Sequence, residues 1–122
     1  MKVLLGIGGS DDSLRALQRA VERAAAAGDD LTIAIVENPD SEWAPPEVRE
    51  RVDEVLAATD LEADVRTLEG HPGSQLLEIA EREGCDRIVL GGGEKSPLGK
   101  VQLGSIAEFV LLNATVSVTL VR

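Results

Sequence analysis

The residues best suited to chemistry lie in one glycine-rich segment, LGGGEKSPLGKVQLGS, at positions 90–105. This segment holds five glycines and two lysines and closes on Gly104-Ser105. Glycine lets backbone N–H groups approach a ligand closely, and phosphate is a frequent ligand of such loops. A second glycine turn, GIGGS, occupies positions 6–10. Together the two segments make a nucleotide phosphate the first candidate ligand.

Other chemistries fit the sequence less well. A P-loop ending at Gly99-Lys100 needs glycine where Glu94 stands and serine or threonine where Val101 stands, so this motif is rejected. His71 is the only histidine, and no nucleophile-base pair accompanies it in sequence. We therefore predict no catalytic residue and no metal site. Cys85, the only cysteine, is expected to be a small buried hydrophobe.

The elements that must position these residues follow from hydrophobic patterning. Helices are expected from the caps at Asp11-Asp12 to Gly28, from Pro45, from Pro72 to Gly84 and over 105–113. Apolar or alternating runs predict five strands, at 2–7, 31–36, 63–69, 87–92 and 116–121. This βαβαβαβαβ order predicts an α/β fold, a five-stranded parallel sheet with helices on both faces, in one domain over residues 1–122.

The two glycine turns follow strands one and four. Doubly wound sheets bind ligands beyond the carboxyl ends of their strands, where the winding direction reverses. If strands one and four are neighbours, both turns border one crevice, and the segment 90–105 leads to the N-terminus of helix four. Ser105 also has a structural interpretation, because Ser105 and Glu108 have the spacing of a capping box with serine as the N-cap.

Charge and composition narrow the classes of partner. Twenty-two acidic against twelve basic residues give a net charge of −10, which disfavours nucleic acid and anionic membranes. Only three of the basic residues are lysine, and an acidic, lysine-poor surface is expected of a halophilic protein in concentrated salt. The single cysteine, the short apolar runs and the lack of a signal-peptide pattern predict a cytoplasmic location.

Three segments carry a resemblance to a known family. KVLLGIGGSDDSLRAL (2–17), GHPGSQLLEIAEREGCDRIVLG (70–91) and GSIAEFVLLNATVSVTLV (104–121) resemble the universal stress protein family, and the resemblance covers essentially the whole chain. The family fingerprint is Gly, two residues, Gly, nine residues, then Gly-Ser or Gly-Thr, and Gly91, Gly104 and Ser105 are in register with it. The resemblance implies a Rossmann-like sheet in the order 3-2-1-4-5, in which strands one and four are neighbours.

The resemblance also implies a ligand, ATP, and the residues that would bind it. The candidates are Ser10, Val36, Gly91, Gly93, Gly104, Ser105 and Ile106. Two positions depart from the ATP-binding pattern: Glu94 replaces the middle glycine, and Gly8 replaces the aspartate that ends strand one. A glutamate adds bulk and restricts φ, and like charges about 4 Å apart repel by roughly 4 kcal/mol at an effective dielectric constant of 20. We therefore expect a weakened or absent ATP site.

The last strand predicts a partner. VSVTLV alternates apolar and hydroxyl residues, as in an edge strand with one drier face, and an open edge invites pairing. In the family this strand commonly pairs antiparallel with its twin. The expected homodimer forms through Val116, Ser117, Val118, Thr119, Leu120 and Val121.

Three functions remain open. The first is a dimeric stress-related binding or regulatory protein whose ATP site is degenerate. The second is a competent ATP-binding switch with Glu94 turned towards solvent. The third is an enzyme acting on an adenylated substrate.

Overall fold

The computed structural model describes residues 1–9, 11–36, 43–91, 94–95, 101–102 and 104–121. The strands are β1 (Lys2–Ile7), β2 (Asp30–Val36), β3 (Asp64–Leu68), β4 (Arg87–Gly91), β5 (Glu94–Lys95), β6 (Val101–Gln102) and β7 (Ser117–Val121). The helices are α1 (Asp11–Ala27), α2 (Pro45–Thr59), α3 (Pro72–Arg82) and α4 (Ser105–Asn113). Five parallel strands form one sheet in the order β3-β2-β1-β4-β7. Because β7 is the fifth of the strands predicted from the sequence, this confirms the predicted fold and the predicted order 3-2-1-4-5.

The central strands are apolar on both faces because helices cover both. Leu5 belongs to the cluster that also holds Leu17 of α1 and Val52 of α2. Its neighbour Leu4 belongs to the opposite cluster, with Leu76 of α3. Successive strand residues point to opposite faces, so a continuous apolar run is what a doubly covered strand requires.

The bounds of the elements differ from the predicted ones by one or two residues. β4 ends at Gly91, and β7 begins at Ser117 rather than at Val116. Val116 nevertheless packs against the cluster of α3 and α4. Both β3 and β7 are edge strands of the five-stranded sheet, so the predicted edge position of the last strand is correct.

The strands β5 and β6 were not predicted from the sequence. They pair antiparallel, with Glu94 opposite Gln102 and Lys95 opposite Val101. Each is two residues long, too short to show a period in sequence. Four residues of the glycine-rich segment therefore form a small antiparallel ladder.

Candidate functional site

The carboxyl ends of three neighbouring strands define the candidate site. In the parallel register Ile7 of β1 lies opposite Ile35 of β2, and Gly6 of β1 lies opposite Leu90 of β4. From β1 the chain winds outward through β2 to β3 and later returns to β4 on the other side. The two glycine turns therefore leave adjacent strands at the position where doubly wound sheets bind ligands. We call this edge, with the N-terminus of α4, the crevice.

A buried serine orders the turn between β1 and α1. The N–H of Gly8 donates a hydrogen bond to Oγ of Ser13 at 3.1 Å. Ser13 is only 8% exposed, so this bond is made away from water. Ser13 is not among the predicted site residues, although a serine in the first turn of a helix is the signal that could have found it. Ser10, the predicted contact in this turn, lies outside the described residues.

The N-terminus of α4 is built differently from the predicted capping box. Gly104 is the N-cap, with φ −65° and ψ 158°, and its carbonyl accepts the N–H of Glu108 at 3.0 Å. Ser105 is consequently the first helical residue, and the prediction that it is the N-cap is wrong. No side chain caps this helix among the residues that the structure describes. Its first N–H groups are left for water or a ligand.

Gly104 has no structural need to be glycine. Its φ of −65° is open to any residue, and a Cβ added there would have no heavy atom of the described residues within 4 Å. A backbone without a side chain is still useful where a ligand must approach it. Both Gly104 and Ser105 are exposed, as a ligand contact requires.

The remaining candidates divide between the crevice and the core. Val36 ends β2 at the same edge of the sheet, but its side chain is buried in the cluster of α3 and α4 and is not available to a ligand. The side chain of Ile106 packs against the same cluster. Gly91 ends β4 and is partly exposed. Gly93 lies outside the described residues.

The backbone at Glu94 lies in a strand. An extended conformation has negative φ, which glutamate adopts without strain. Glu94 therefore does not impose the backbone strain expected from the sequence. What remains is the negative charge that this residue adds to the segment.

His71 is a helix cap. Its Nδ1 accepts the N–H of Ser74 at 3.1 Å and lies 3.0 Å from Ser74 Oγ. The imidazole is exposed and contacts the ring of Phe109 edge-on, with ring centroids 4.7 Å apart. A general base would need a free acceptor and an orienting group. Here Nδ1 already accepts the backbone N–H of Ser74, so helix capping explains the contact between His71 and Ser74.

An ion cluster joins β3 to the end of α3. The guanidinium of Arg66 donates to both carboxylate oxygens of Glu83 and to Oδ2 of Asp64. Its hydrogen bond to Glu83 holds the pKa of that carboxyl below its ordinary value.

Burial raises the pKa of the Cys85 thiol, which leaves it a poor nucleophile.

Two further findings concern ions and membranes. No three His, Cys, Asp or Glu side chains of the described residues lie close enough together to hold a metal ion. Within the described ranges, no helix combines the length and apolar character needed to cross a membrane.

Comparison with known proteins identifies the family. The sequence model of the universal stress protein family matches residues 1–122, and the chain belongs to this family. A curated universal stress protein of Methanocaldococcus jannaschii is 42% identical over 55 residues. That match covers 45% of this chain and 32% of the relative, so it spans about a third of the relative's length.

Solved structures support the same assignment. A universal stress protein from Archaeoglobus fulgidus superposes with a TM-score of 0.81 at 21% identity, covering 100% of this chain and 98% of that one. Another, solved in complex with cAMP, is 32% identical with a TM-score of 0.75 and covers 100% and 96% of the two chains. The first likeness shows the fold, and the second also supports the family.

Proposed function

We propose that this protein is a nucleotide-binding regulatory protein whose crevice accepts an adenine nucleotide with one phosphate more readily than ATP. The observation that carries the proposal is the N-terminus of α4. Because α4 connects the carboxyl end of β4 to the parallel strand β7, it begins on the carboxyl-end side of the sheet. No described side chain caps its first N–H groups, and a Cβ at Gly104 would meet no described atom within 4 Å. The positive end of a helix dipole with free N–H groups binds one phosphate well.

The charge at position 94 disfavours a triphosphate. Glu94 belongs to the segment between Gly91 and Gly104, which in the family encloses the phosphates. A carboxylate about 4 Å from a phosphate would repel it by roughly 4 kcal/mol at an effective dielectric constant of 20. A nucleotide with fewer phosphates and less charge meets less of this repulsion.

A relative supports the same choice of ligand. The universal stress protein that is 32% identical over the whole chain was solved with cAMP, a nucleotide with a single phosphate. Its site is expected to correspond to the crevice, because the two chains align over 100% and 96% of their lengths.

The proposal is tested by calorimetric titration of the protein with cAMP and with ATP, in dilute buffer and in molar KCl. We expect cAMP to bind at least about tenfold more tightly than ATP in dilute buffer, and the difference to shrink in molar salt because salt screens charge. Tighter binding of ATP, or no saturable binding of cAMP, would contradict the proposal.

Two variants separate the contribution of the α4 N-terminus from that of the charge on Glu94. Gly104→Ala should weaken cAMP binding by about tenfold while lowering the free energy of unfolding by about 1 kcal/mol or less. Glu94→Gln removes the charge alone and should strengthen ATP binding more than cAMP binding. Glu50→Gln, on the exposed surface of α2, makes the same change of charge as Glu94→Gln and should change neither affinity.

The second candidate is a competent ATP-binding switch. The pairing of Glu94 with Gln102 favours it, because a strand residue needs no glycine and the backbone cost of the glutamate disappears. In this case ATP binds in dilute buffer and Glu94→Gln leaves its affinity unchanged. The same titrations therefore distinguish the two candidates.

We also propose that this protein forms a homodimer and has no enzymatic activity. β7 is an edge strand, and pairing with a second copy would satisfy its outer N–H and C=O groups. Its single, buried cysteine suits a reducing cytoplasm, and its net charge of −10 suits concentrated salt. No described residue is placed as a general base in the crevice, so any hydrolysis of ATP would be slow and incidental.

A further inference from the structure

A groove separate from the crevice lies on the face of the sheet that α1 covers. It has a volume of about 310 Å³, within the range of small-molecule sites. It runs between the second half of α1 and the strands β1, β4 and β7. Val89 and Thr119 form part of its floor, and Ala20 and Ala24 form part of its helical wall.

Small residues on α1 create this space. Ala20 and Ala24 are one turn apart and face the groove, whereas Leu17 and Val21 are fully buried in the core cluster shared with α2. Alanine has no side chain beyond Cβ to fill the gap above β4 and β7. The apolar floor is therefore left partly uncovered.

The groove is positively charged in a strongly acidic chain. Arg19, Arg23 and Arg87 line it together with one acid, Asp29. The carboxylate of Asp29 is already engaged, at 3.1 Å from the amino group of Met1 and 3.6 Å from Nε of Arg23. Three arginines and one aspartate leave a formal charge of +2, against −10 for the chain.

Arg87 is the most unusual of these side chains. It is the first residue of β4 and pairs with Val3 of β1 on one side and Ser117 of β7 on the other, so it belongs to an interior strand of the sheet rather than to an edge strand. Its Nε is buried and has no hydrogen-bond partner among the described residues. A buried donor without an acceptor costs free energy, and an anion in the groove would supply the acceptor.

From these observations we infer that the groove binds a small organic anion with an apolar body, such as a carboxylate on a hydrocarbon chain. Arg87 and Arg19 bind the anionic group, because neither has an ion-pair partner among the described residues. The hydrocarbon lies on Val89, between Ala20 and Val121. Guanidinium groups match planar carboxylates, and the apolar walls exclude ions that lack a hydrophobic part.

The inference is tested with a fluorescent probe, 8-anilinonaphthalene-1-sulfonate, titrated at fixed ionic strength and then displaced by competitors. Octanoate and 1-octanol share a chain length and differ in charge. We expect the probe to bind saturably and octanoate to displace it at least about tenfold better than octanol. Equal displacement by the two, or no saturable binding, would overturn the inference.

Variants locate the site. Arg19→Gln and Arg87→Gln should each weaken octanoate binding by about tenfold and leave octanol unaffected. Arg19 is exposed, so its variant remains folded and decides the question even if Arg87→Gln does not fold. Arg51→Gln makes the same change of charge on α2 and should alter nothing. An equal loss in the Arg51 variant would reduce the effect to net charge and overturn the assignment.

Competition with cAMP separates the groove from the crevice. We expect cAMP not to displace the probe, whether or not it binds elsewhere. Displacement by cAMP without an effect of Arg19→Gln would place the probe in the crevice and overturn the inference. If the probe does not bind and Arg19→Gln changes the dimer dissociation constant, the groove is instead a contact between copies of the chain. That result would also overturn the inference.

Discussion

The imidazole of His71 contacts the ring of Phe109 edge-on, with ring centroids 4.7 Å apart and ring planes inclined by 65°. His71 caps α3, and Phe109 lies in the middle of α4. The contact therefore joins the N-terminus of α3 to the helix that carries the candidate phosphate site. Edge-to-face pairs of this kind are among the favourable geometries of aromatic rings.

Replacing His71 should lower the free energy of unfolding, because its side chain contacts both α3 and α4. His71→Ala removes the acceptor for the Ser74 N–H and the ring contact, and we expect the free energy of unfolding to fall by about 1–2 kcal/mol. His71→Asn restores an N-cap acceptor but not the ring, so it should recover part of the loss. Urea denaturation of the three proteins measures these differences. An asparagine variant no more stable than the alanine variant would contradict the capping role.

Gly73 of α3 lies directly against the ring of Phe109 of α4. A Cβ added to Gly73 would lie 2.5 Å from Cδ1 of Phe109, closer than packed atoms tolerate. Alanine normally favours a helix over glycine by about 1 kcal/mol, but here overpacking should dominate. We expect Gly73→Ala to lower the free energy of unfolding by about 1–3 kcal/mol, measured by urea denaturation.

A double-variant cycle identifies the cause. In a Phe109→Leu background the ring no longer obstructs position 73, so Gly73→Ala should cost much less. Gly104→Ala is the matched control, because an added Cβ there has no described atom within 4 Å. An unchanged cost in the leucine background would mean that Phe109 is not the obstacle.

The ion cluster around Arg66 predicts a dependence of stability on pH. Its hydrogen bond lowers the pKa of Glu83. A carboxyl group whose pKa is lowered by folding stabilises the protein at pH values above its pKa in the unfolded chain, ordinarily about 4.3 for glutamate. This stabilisation is lost as the pH falls through the lower pKa of the folded state. Glu83→Gln should therefore be less stable than the parent protein at neutral pH, and the difference should narrow in acid.

Thermal denaturation between neutral and acidic pH measures that difference. Glu81→Gln removes a carboxylate from an exposed position two residues away and should show no such narrowing. A gap between parent and Glu83→Gln that stays constant into acid would show that the ion pair with Arg66 does not stabilise the fold.

Sequence sufficed for the sheet because the sheet depends on long patterns. The continuous apolar run of β1 predicts a strand covered on both faces, and β1 is buried. The alternation of β7 predicts an edge strand, and β7 lies at the edge of the sheet with Val118 and Leu120 packed against the cluster of α3 and α4. Pro72 marked the start of α3 because its missing N–H is tolerated only in the first turn. Patterns of this kind involve many residues, so single exceptions do not obscure them.

The site was harder to predict because it depends on single hydrogen bonds. Gly104 and Ser105 are both acceptable N-caps, and only the bond from the Glu108 N–H to the Gly104 carbonyl distinguishes them. Histidine is an uncommon cap, so His71 was not recognised as one. The groove depends on α1 and β7 coming together, and no stretch of sequence contains both.

The edge strand β7 predicts how two copies associate. Thr119→Lys places a lysine in the middle of β7 on each copy, a substitution that natural edge strands use against pairing. We expect it to weaken a dimer by at least about tenfold in sedimentation equilibrium, run in molar KCl so that repulsion between two chains of charge −10 is screened. Thr67→Lys makes the same change on β3, the opposite edge of the sheet, and should leave the dimer intact. Dissociation by the Thr67 variant but not by the Thr119 variant would move the interface to the other edge, because only the strand that pairs is sensitive to the added charge.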